Sequence, residues 1–195
     1  MKSPVTISPA LLATAAVAVG CSGPASDDGG TDNNTKDDTT IETGTPPSTL
    51  PSVKVNEILA WNTTGLQDEV GAFPDWIELF NASDEPADLS GWWLTDDVAN
   101  PFNWLFPDGT TIPAGGYLVV FADGDEEEGP LHASFSLKST GGEDVSVYGP
   151  NVLDNPLIDS KEDLEPFAHD ISIQRSPDGS DTWSPGPPSP GAAND

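Results

Sequence analysis

From Val53 onward, short apolar segments alternate with turn-forming sequences such as PDG (107–109) and GG (141–142). The whole chain contains 20 prolines and 19 glycines among 195 residues. Proline removes a backbone donor and glycine costs conformational entropy inside regular elements, so both interrupt helices. This punctuation favours turns over long helices and predicts an all-β domain over residues 53–195.

Eight segments have the length and composition of strands. They are VKVNEILAW (53–61), DWIELFNA (75–82), GWWLTD (91–96), FNWLF (102–106), GYLVVFAD (116–123), LHASFSLK (131–138), EDVSVYG (143–149) and DISIQR (170–175). Strict alternation in LHASFSLK predicts a half-buried strand with His132 on the polar face. GYLVVFAD is apolar on both faces, which predicts a central strand. Eight short strands with turns between them predict a β-sandwich or barrel.

The first strand raises a question about Glu57, because the odd positions of VKVNEILAW place this carboxylate on the same face as Val53 and Val55. One alternative is an inward carboxylate that needs a partner. The other, which we favour, is a β-bulge near Asn56 that turns Ile58 inward.

Residues 1–20 (MKSPVTISPALLATAAVAVG) have a positive charge at Lys2 followed by a short apolar run, which indicates a secretory signal peptide. AVGC (18–21) resembles the lipobox of bacterial lipoproteins, in which the cysteine becomes the acylated N-terminus. We therefore predict Cys21, the only cysteine of the chain, as a lipid-attachment residue. The alternative is an ordinary secretory signal with a cysteine near the cut by chance.

Residues 21–52 are rich in Asp, Thr, Gly and Pro and nearly lack large apolar residues, so we expect a disordered acidic tether. The domain that follows is strongly acidic as well, with four basic residues against 27 acidic ones over residues 53–195. Such a surface repels phosphate backbones, which argues against a nucleic-acid partner.

Several blocks resemble the bacterial lamin-tail domain, above all DWIELFN (75–81) with LSGWWL (89–94), and FPDGTTIPAGGYLVVFADG (106–124). The resemblance covers about 140 residues and implies an immunoglobulin-like β-sandwich. It also implies a module without catalytic residues, of the kind appended to secreted and surface proteins. The segment 152–169 is longer and more acidic than the strand usual there, so its pairing is open.

Three groups of residues are candidates for binding. Six tryptophans are expected mostly in the core, and the adjacent Trp92 and Trp93 should point to opposite faces. The acidic loop 123–129 (DGDEEEG) offers oxygen ligands for Ca²⁺ but lacks EF-hand spacing, and a solvated loop is the main expectation. Asp75 and the pair Asp96 and Asp97 are weaker Ca²⁺ candidates.

No catalytic motif accompanies His132 or His169, so we expect neither an enzyme nor a required cofactor. The predicted function is a monomeric, non-enzymatic interaction or structural module. It would be held in the cell envelope by a lipidated Cys21, at the outer membrane if the cell is Gram-negative, or otherwise be secreted. Its partner would be an unknown protein or glycan. The alternative is a glycan-binding or Ca²⁺-assisted module, which requires two or more exposed tryptophans near the acidic loop.

Overall fold

The computed structural model describes residues 50–194, and within this range the chain is all-β. Its strands are β1 (Val53–Leu59), β2 (Trp76–Asn81), β3 (Ala87–Asp88), β4 (Trp93–Thr95), β5 (Trp104–Leu105), β6 (Thr111–Ile112), β7 (Tyr117–Phe121), β8 (Val145–Tyr148), β9 (Leu157–Lys161), β10 (Ser172–Arg175) and β11 (Trp183–Gly186). One 3₁₀ turn spans Asn151–Leu153. Over residues 50–194, no helix has the length and apolar character needed to cross a membrane.

The strands form two main antiparallel sheets. The larger has the order β11-β10-β1-β2-β7, and the smaller has the order β5-β4-β8-β9. A two-stranded sheet pairs β3 with β6. Buried side chains of both main sheets belong to one hydrophobic cluster, including Ile58, Ile77 and Leu79 from the larger and Leu94 and Val147 from the smaller. The predicted immunoglobulin-like β-sandwich is confirmed.

The β-bulge expected in the first strand is present. The pairing of β1 with β2 shifts register between Val55 and Glu57, so that Val55 and Ile58 both lie fully in the core. Glu57 is nevertheless also buried. It lies on the outer face of the sheet, directly opposite Glu78 of β2. The bulge therefore lets Val55 and Ile58 both face the core. It also leaves Glu57 as a buried carboxylate that needs hydrogen-bond partners.

The prediction of a strand at residues 131–138 is wrong, because the segment is irregular. This segment makes only two isolated bridges, Phe121 with His132 and Asp123 with Ser136. The predicted alternation of buried and exposed side chains is nevertheless present, because Phe135 and Leu137 are buried between exposed neighbours. His132 is not on a solvated face but fully buried. Two carboxylates hydrogen-bond to its ring and offset the cost of that burial.

The central position predicted for GYLVVFAD is also wrong, because β7 lies at an edge of the five-stranded sheet. Only Val120 among its five residues is fully buried. Phe121 exchanges backbone hydrogen bonds with Leu131 and Ala133, so the irregular segment covers part of this edge.

Two further segments form strands that are not among the eight predicted ones. β9 pairs with β8, which resolves the pairing of the acidic segment 152–169. β11 pairs with β10 at a position where no strand was predicted. Pro185 is tolerated because β11 is an edge strand, where a missing donor breaks no ladder.

Candidate functional site

A cluster of charged side chains surrounds His132 and lies outside any regular strand. The Nδ1 atom of His132 is 2.8 Å from Oδ2 of Asp123, and its Nε2 atom is 3.0 Å from Oε2 of Glu69. The imidazole side chain is completely buried, whereas 60% of the Glu69 side chain is exposed. Because both ring nitrogens face carboxylate oxygens, both must carry protons to donate, so the ring is held as an imidazolium.

Glu69 reaches this position through a tight turn in the loop between β1 and β2. Oδ1 of Asp68 accepts hydrogen bonds from the backbone N–H groups of Val70 and Ala72. Gly71 adopts a positive φ of 83°, a conformation that glycine reaches without steric cost. The turn is therefore built by Asp68 and Gly71, and Glu69 projects from it.

The acidic loop 123–129 supplies the other side of the cluster. Oδ1 of Asp123 accepts from the N–H of Asp125, and Oδ1 of Asp125 accepts from the N–H of Glu127, so two carboxylates fold the loop on itself. Asp123, Glu128 and His132 each offer one possible metal-ligand atom, and these atoms lie within 4.8 Å of one another. This geometry brings the candidate Ca²⁺ loop together with a histidine that the sequence placed on a solvated face.

The ionisation of the cluster follows from these contacts. Burial acts to lower the pKa of His132, but the hydrogen bonds to Glu69 and Asp123 outweigh it and raise that pKa. The same contact with His132 lowers the pKa of Glu69. The pKa of Glu128 is raised, through partial desolvation and the neighbouring charges of Asp125 and Asp68. The cluster thus combines one stabilised cation with several carboxylates.

Asp96 and Asp97 line a different, acidic depression of about 370 Å³ at the end of the four-stranded sheet. Asn103 donates to Asp96 over 2.8 Å, and the N–H of Ala99 donates to Asp97 over 2.8 Å. In the same depression, Glu143 accepts from Lys138 over 2.7 Å. These carboxylates are thus bound by donors of the protein itself.

Asp75, the other weaker Ca²⁺ candidate, accepts from the N–H of Asn62 over 3.4 Å. Burial raises its pKa to about 6. Asp75 does not belong to the group of possible ligands around His132.

The tryptophans divide as expected between core and surface. Trp76, Trp92 and Trp104 are buried, and Trp93 points outward from its neighbour Trp92 with intermediate exposure. Among the six, only Trp61 is exposed, at 39%. It packs on His169 at a ring-centroid distance of 3.7 Å. The two exposed tryptophans required near the acidic loop by the glycan-binding alternative are therefore not found there.

The exposed aromatic surface lies on the four-stranded sheet. Leu105, Trp93, Tyr148 and Leu157 are successive cross-strand partners and form one row across β5, β4, β8 and β9. Phe102 packs against both Trp93 and Tyr148, with centroid distances of 5.5 and 6.5 Å. We call these five residues the aromatic row. Leu105, Phe102 and Leu157 are 46%, 48% and 53% exposed.

A last group of carboxylates is buried on the outer face of the five-stranded sheet, beneath the segment 187–194. Glu57 accepts from the hydroxyl of Ser172 over 2.5 Å and from the N–H of Ser189. Glu78 accepts from the N–H of Gly191 over 2.6 Å and from Asn56. Burial raises the pKa of Glu57, and it raises the pKa of Glu78 to about 7. These carboxylates fix the last described residues to the sheet.

Several predictions concern residues outside the range 50–194. These are the lipid-attachment residue Cys21, the signal peptide at 1–20 and all but the last three residues of the tether at 21–52. They remain predictions.

The fold and these surfaces define a β-sandwich module with an exposed aromatic face and a charged cluster at its loops. The model of the Lamin Tail Domain family matches residues 46–163, and the chain belongs to this family. The family has an immunoglobulin-like fold and is a non-catalytic type of domain, consistent with a structural or interaction role. No curated protein matches the chain.

Sequence reasoning missed two parts of these surfaces. Glu69 lies in the loop between β1 and β2, 63 residues before its partner His132, and no periodic pattern marks it. Phe102 and Tyr148 were placed in strands but not together. Their meeting depends on the order β5-β4-β8, which the separate segments do not reveal.

Proposed function

We propose that this protein is a lipid-anchored, non-enzymatic interaction module of the cell envelope. The lipobox-like AVGC (18–21), the acidic segment that follows it and the membership of a non-catalytic domain family support this function. Acylation at Cys21 would hold the chain firmly, because each buried methylene contributes about 0.8 kcal/mol and two or more acyl chains add up. The tether would then present the domain away from the membrane surface.

The observation that carries the interaction role is the aromatic row. It crosses all four strands of one sheet, and its outer members are about half exposed. Contiguous exposed apolar patches mark interaction surfaces, and tryptophan and tyrosine are enriched among residues that dominate binding energy. The row is therefore the surface on which we expect the partner to bind.

The charge around this row favours a protein partner with basic residues. Asp96 and Asp97 follow β4, and Asp144 precedes β8, so carboxylates lie at one end of the two central strands of the row. An interface of this kind has an apolar centre and a charged rim. A partner with an apolar anchor flanked by Lys or Arg would complement both features and associate faster at low salt.

Metabolic labelling with an alkyne analogue of palmitate tests the anchor. We expect label on the wild-type chain and none on Cys21→Ala, which should leave the membrane fraction for the soluble one. Label that persists on Cys21→Ala would refute acylation at this residue.

The row is tested with the double variant Phe102→Ser/Leu157→Ser, since both side chains are half exposed and their loss should spare the core. We expect at least ~10-fold less capture of envelope proteins than with wild type, corresponding to the loss of about 1.4 kcal/mol of binding free energy. Val152→Ser is the matched control, because Val152 is 85% exposed and lies outside the row. Equal losses in both variants would contradict the assignment of the row.

The same capture experiment separates a protein partner from a glycan. Protease treatment of the envelope fraction should abolish binding, and digestion of its glycans should leave binding intact. The reverse result would replace the proposed protein partner with the glycan of the alternative function.

A further inference from the structure

The cluster around His132 has the donor atoms of a metal site. Among the described residues, Asp123, Glu128 and His132 bring one possible ligand atom each within 4.8 Å of the others. The histidine side chain is fully buried and the Asp123 side chain is 17% exposed. These two ligands are held in place by the fold and lose little freedom when an ion binds.

A further observation in the adjoining turn points to a ligand. Oδ2 of Asp68 is buried and, among residues 50–194, has no hydrogen-bond partner. Asp68 directly precedes Glu69, whose carboxylate contacts Nε2 of His132. An unsatisfied buried oxygen is costly, and a cation in this cluster would compensate it. Gly129 lets the acidic loop pack closely on the Cδ2–Nε2 edge of the ring, because a Cβ atom there would lie only 3.1 Å from Cδ2.

We propose that His132, Asp123 and Glu128 bind a divalent first-row transition-metal ion of the Zn²⁺ class. Imidazole nitrogen suits such ions, whereas Ca²⁺ requires six to eight oxygen ligands in a flexible arrangement. From the acidic loop alone, the sequence offered Ca²⁺ as a candidate ligand, with a solvated loop as the main expectation. The buried nitrogen donor changes the expected metal.

The distance between His132 and Asp123 needs only a small change to admit the ion. Two ligands on a tetrahedral zinc ion with bonds of 2.0–2.1 Å lie about 3.3 Å apart. Nδ1 of His132 and Oδ2 of Asp123 are now 2.8 Å apart, so an opening of about half an ångström suffices. Nδ1 releases its proton to solvent when the ion binds, whereas Nε2 keeps its proton and donates to Glu69, an outer carboxylate of the kind that commonly orients a metal-bound histidine.

Metal binding would tie two loops together. Glu69 belongs to the loop between β1 and β2, and Asp123 and Glu128 belong to the loop after β7. The ion would join these loops through the imidazole ring and raise the melting temperature by mass action, since it binds only the folded state.

The test uses the full chain carrying Cys21→Ala in every arm, which removes the thiol as a competing ligand. After treatment with EDTA and dialysis, the protein is titrated with Zn²⁺, Ca²⁺ and Mg²⁺ by calorimetry. We expect one saturable Zn²⁺ site with affinity at least ~10-fold above that for Ca²⁺. His132→Asn should abolish this site, and His169→Asn is the control because these are the two histidines of the chain.

If His132→Asn fails to fold, Glu128→Gln tests the metal site in its place. Within residues 50–194 the Glu128 side chain accepts no hydrogen bond, so this substitution should leave the fold intact. It should weaken Zn²⁺ binding at least ~10-fold. Glu126→Gln, an exposed neighbour in the same loop, should not change it. Absence of saturable Zn²⁺ binding below ~1 mM, equal effects of the two Gln variants, or tighter binding of Ca²⁺ would each overturn the proposal.

Discussion

Two pairs of carboxylates in this domain have different hydrogen-bond partners: one pair is bound by neutral donors and the other by a histidine ring. Glu57 and Glu78 lie directly opposite each other on the five-stranded sheet and are bound by hydroxyl, amide and backbone N–H donors. Asp123 and Glu69 flank the ring of His132. Burial among neutral donors raises the pKa of Glu57 and Glu78, whereas contact with the imidazolium lowers the pKa of Glu69.

The difference shows that a count of acidic residues says little about their charge. Like charges that face each other across a strand pair repel, and in a buried site protonation is the least costly relief. A carboxylate beside a cation is stabilised in its charged form instead. Ionisation of Glu57 and Glu78 therefore lowers the stability of the fold as pH rises. Glu69, in contrast, stabilises the fold in its charged form.

The largest effect is expected from Glu78→Gln. The pKa of Glu78 is about 7 in the folded chain and 4.5 ordinarily. Because the folded value is raised, its contribution to stability is fully present below pH 4.5 and is lost as pH rises through about 7. The difference of 2.5 pKa units corresponds to about 3 kcal/mol.

Glu78→Gln should remove this dependence, so that the variant gains about 3 kcal/mol on wild type between pH 4.5 and pH 8. Urea denaturation across this range measures the difference. The exposed Glu162→Gln serves as the control and should track wild type. Parallel curves for wild type and Glu78→Gln would show that Glu78 is charged in the folded state at pH 4.5 and above.

A smaller effect is expected from His132→Leu in the presence of EDTA. The substitution keeps a side chain of similar size but removes both N–H donors, which leaves Asp123 without its charged partner. Glu69 is mostly exposed and regains water. We expect a loss of about 2 kcal/mol in the free energy of unfolding, measured by urea denaturation.

Adding Asp123→Asn to His132→Leu separates charge from packing. The neutral amide costs less to bury than a carboxylate without a partner, so the double variant should recover part of the loss. A double variant less stable than His132→Leu would contradict the electrostatic explanation.

The smallest effect is expected from Gly129→Ala. The added Cβ would lie 3.1 Å from Cδ2 of His132, so the ring must move by a few tenths of an ångström. Overpacking of this degree costs about 1 kcal/mol, which thermal unfolding detects. In the His132→Leu background the imidazole edge is gone, so the loss should shrink. If Gly129→Ala lowers stability equally in the His132→Leu background, contact with the imidazole ring is not the cause of the loss.

Much of the fold followed from local patterns. Alternation and turn residues located seven strands of the two main sheets but not β9 or β11, and the apolar pattern around Glu57 correctly indicated the bulge. Trp92 and Trp93 diverged as their adjacent positions on a strand require. These features depend on side-chain periodicity, which the sequence displays directly.

The errors arose where tertiary contacts override local pattern. The apolar faces of β7 suggested a central strand, but the irregular segment 131–133 covers its edge. His132 lies in an alternating sequence that normally exposes such a residue, and its burial depends on Glu69 and Asp123. Neither partner is identifiable as such before the loops are placed in space.

The strand order of the larger sheet has a consequence for proteolysis. The family match ends at residue 163, yet β10 lies beyond that limit and pairs with β1 in the middle of the five-stranded sheet. Cleavage near residue 163 would strip β10 and β11 from β1 and leave VKVNEIL with unpaired backbone donors and acceptors. Such an open edge recruits strands from other chains, so a fragment trimmed to the family match should self-associate rather than remain monomeric.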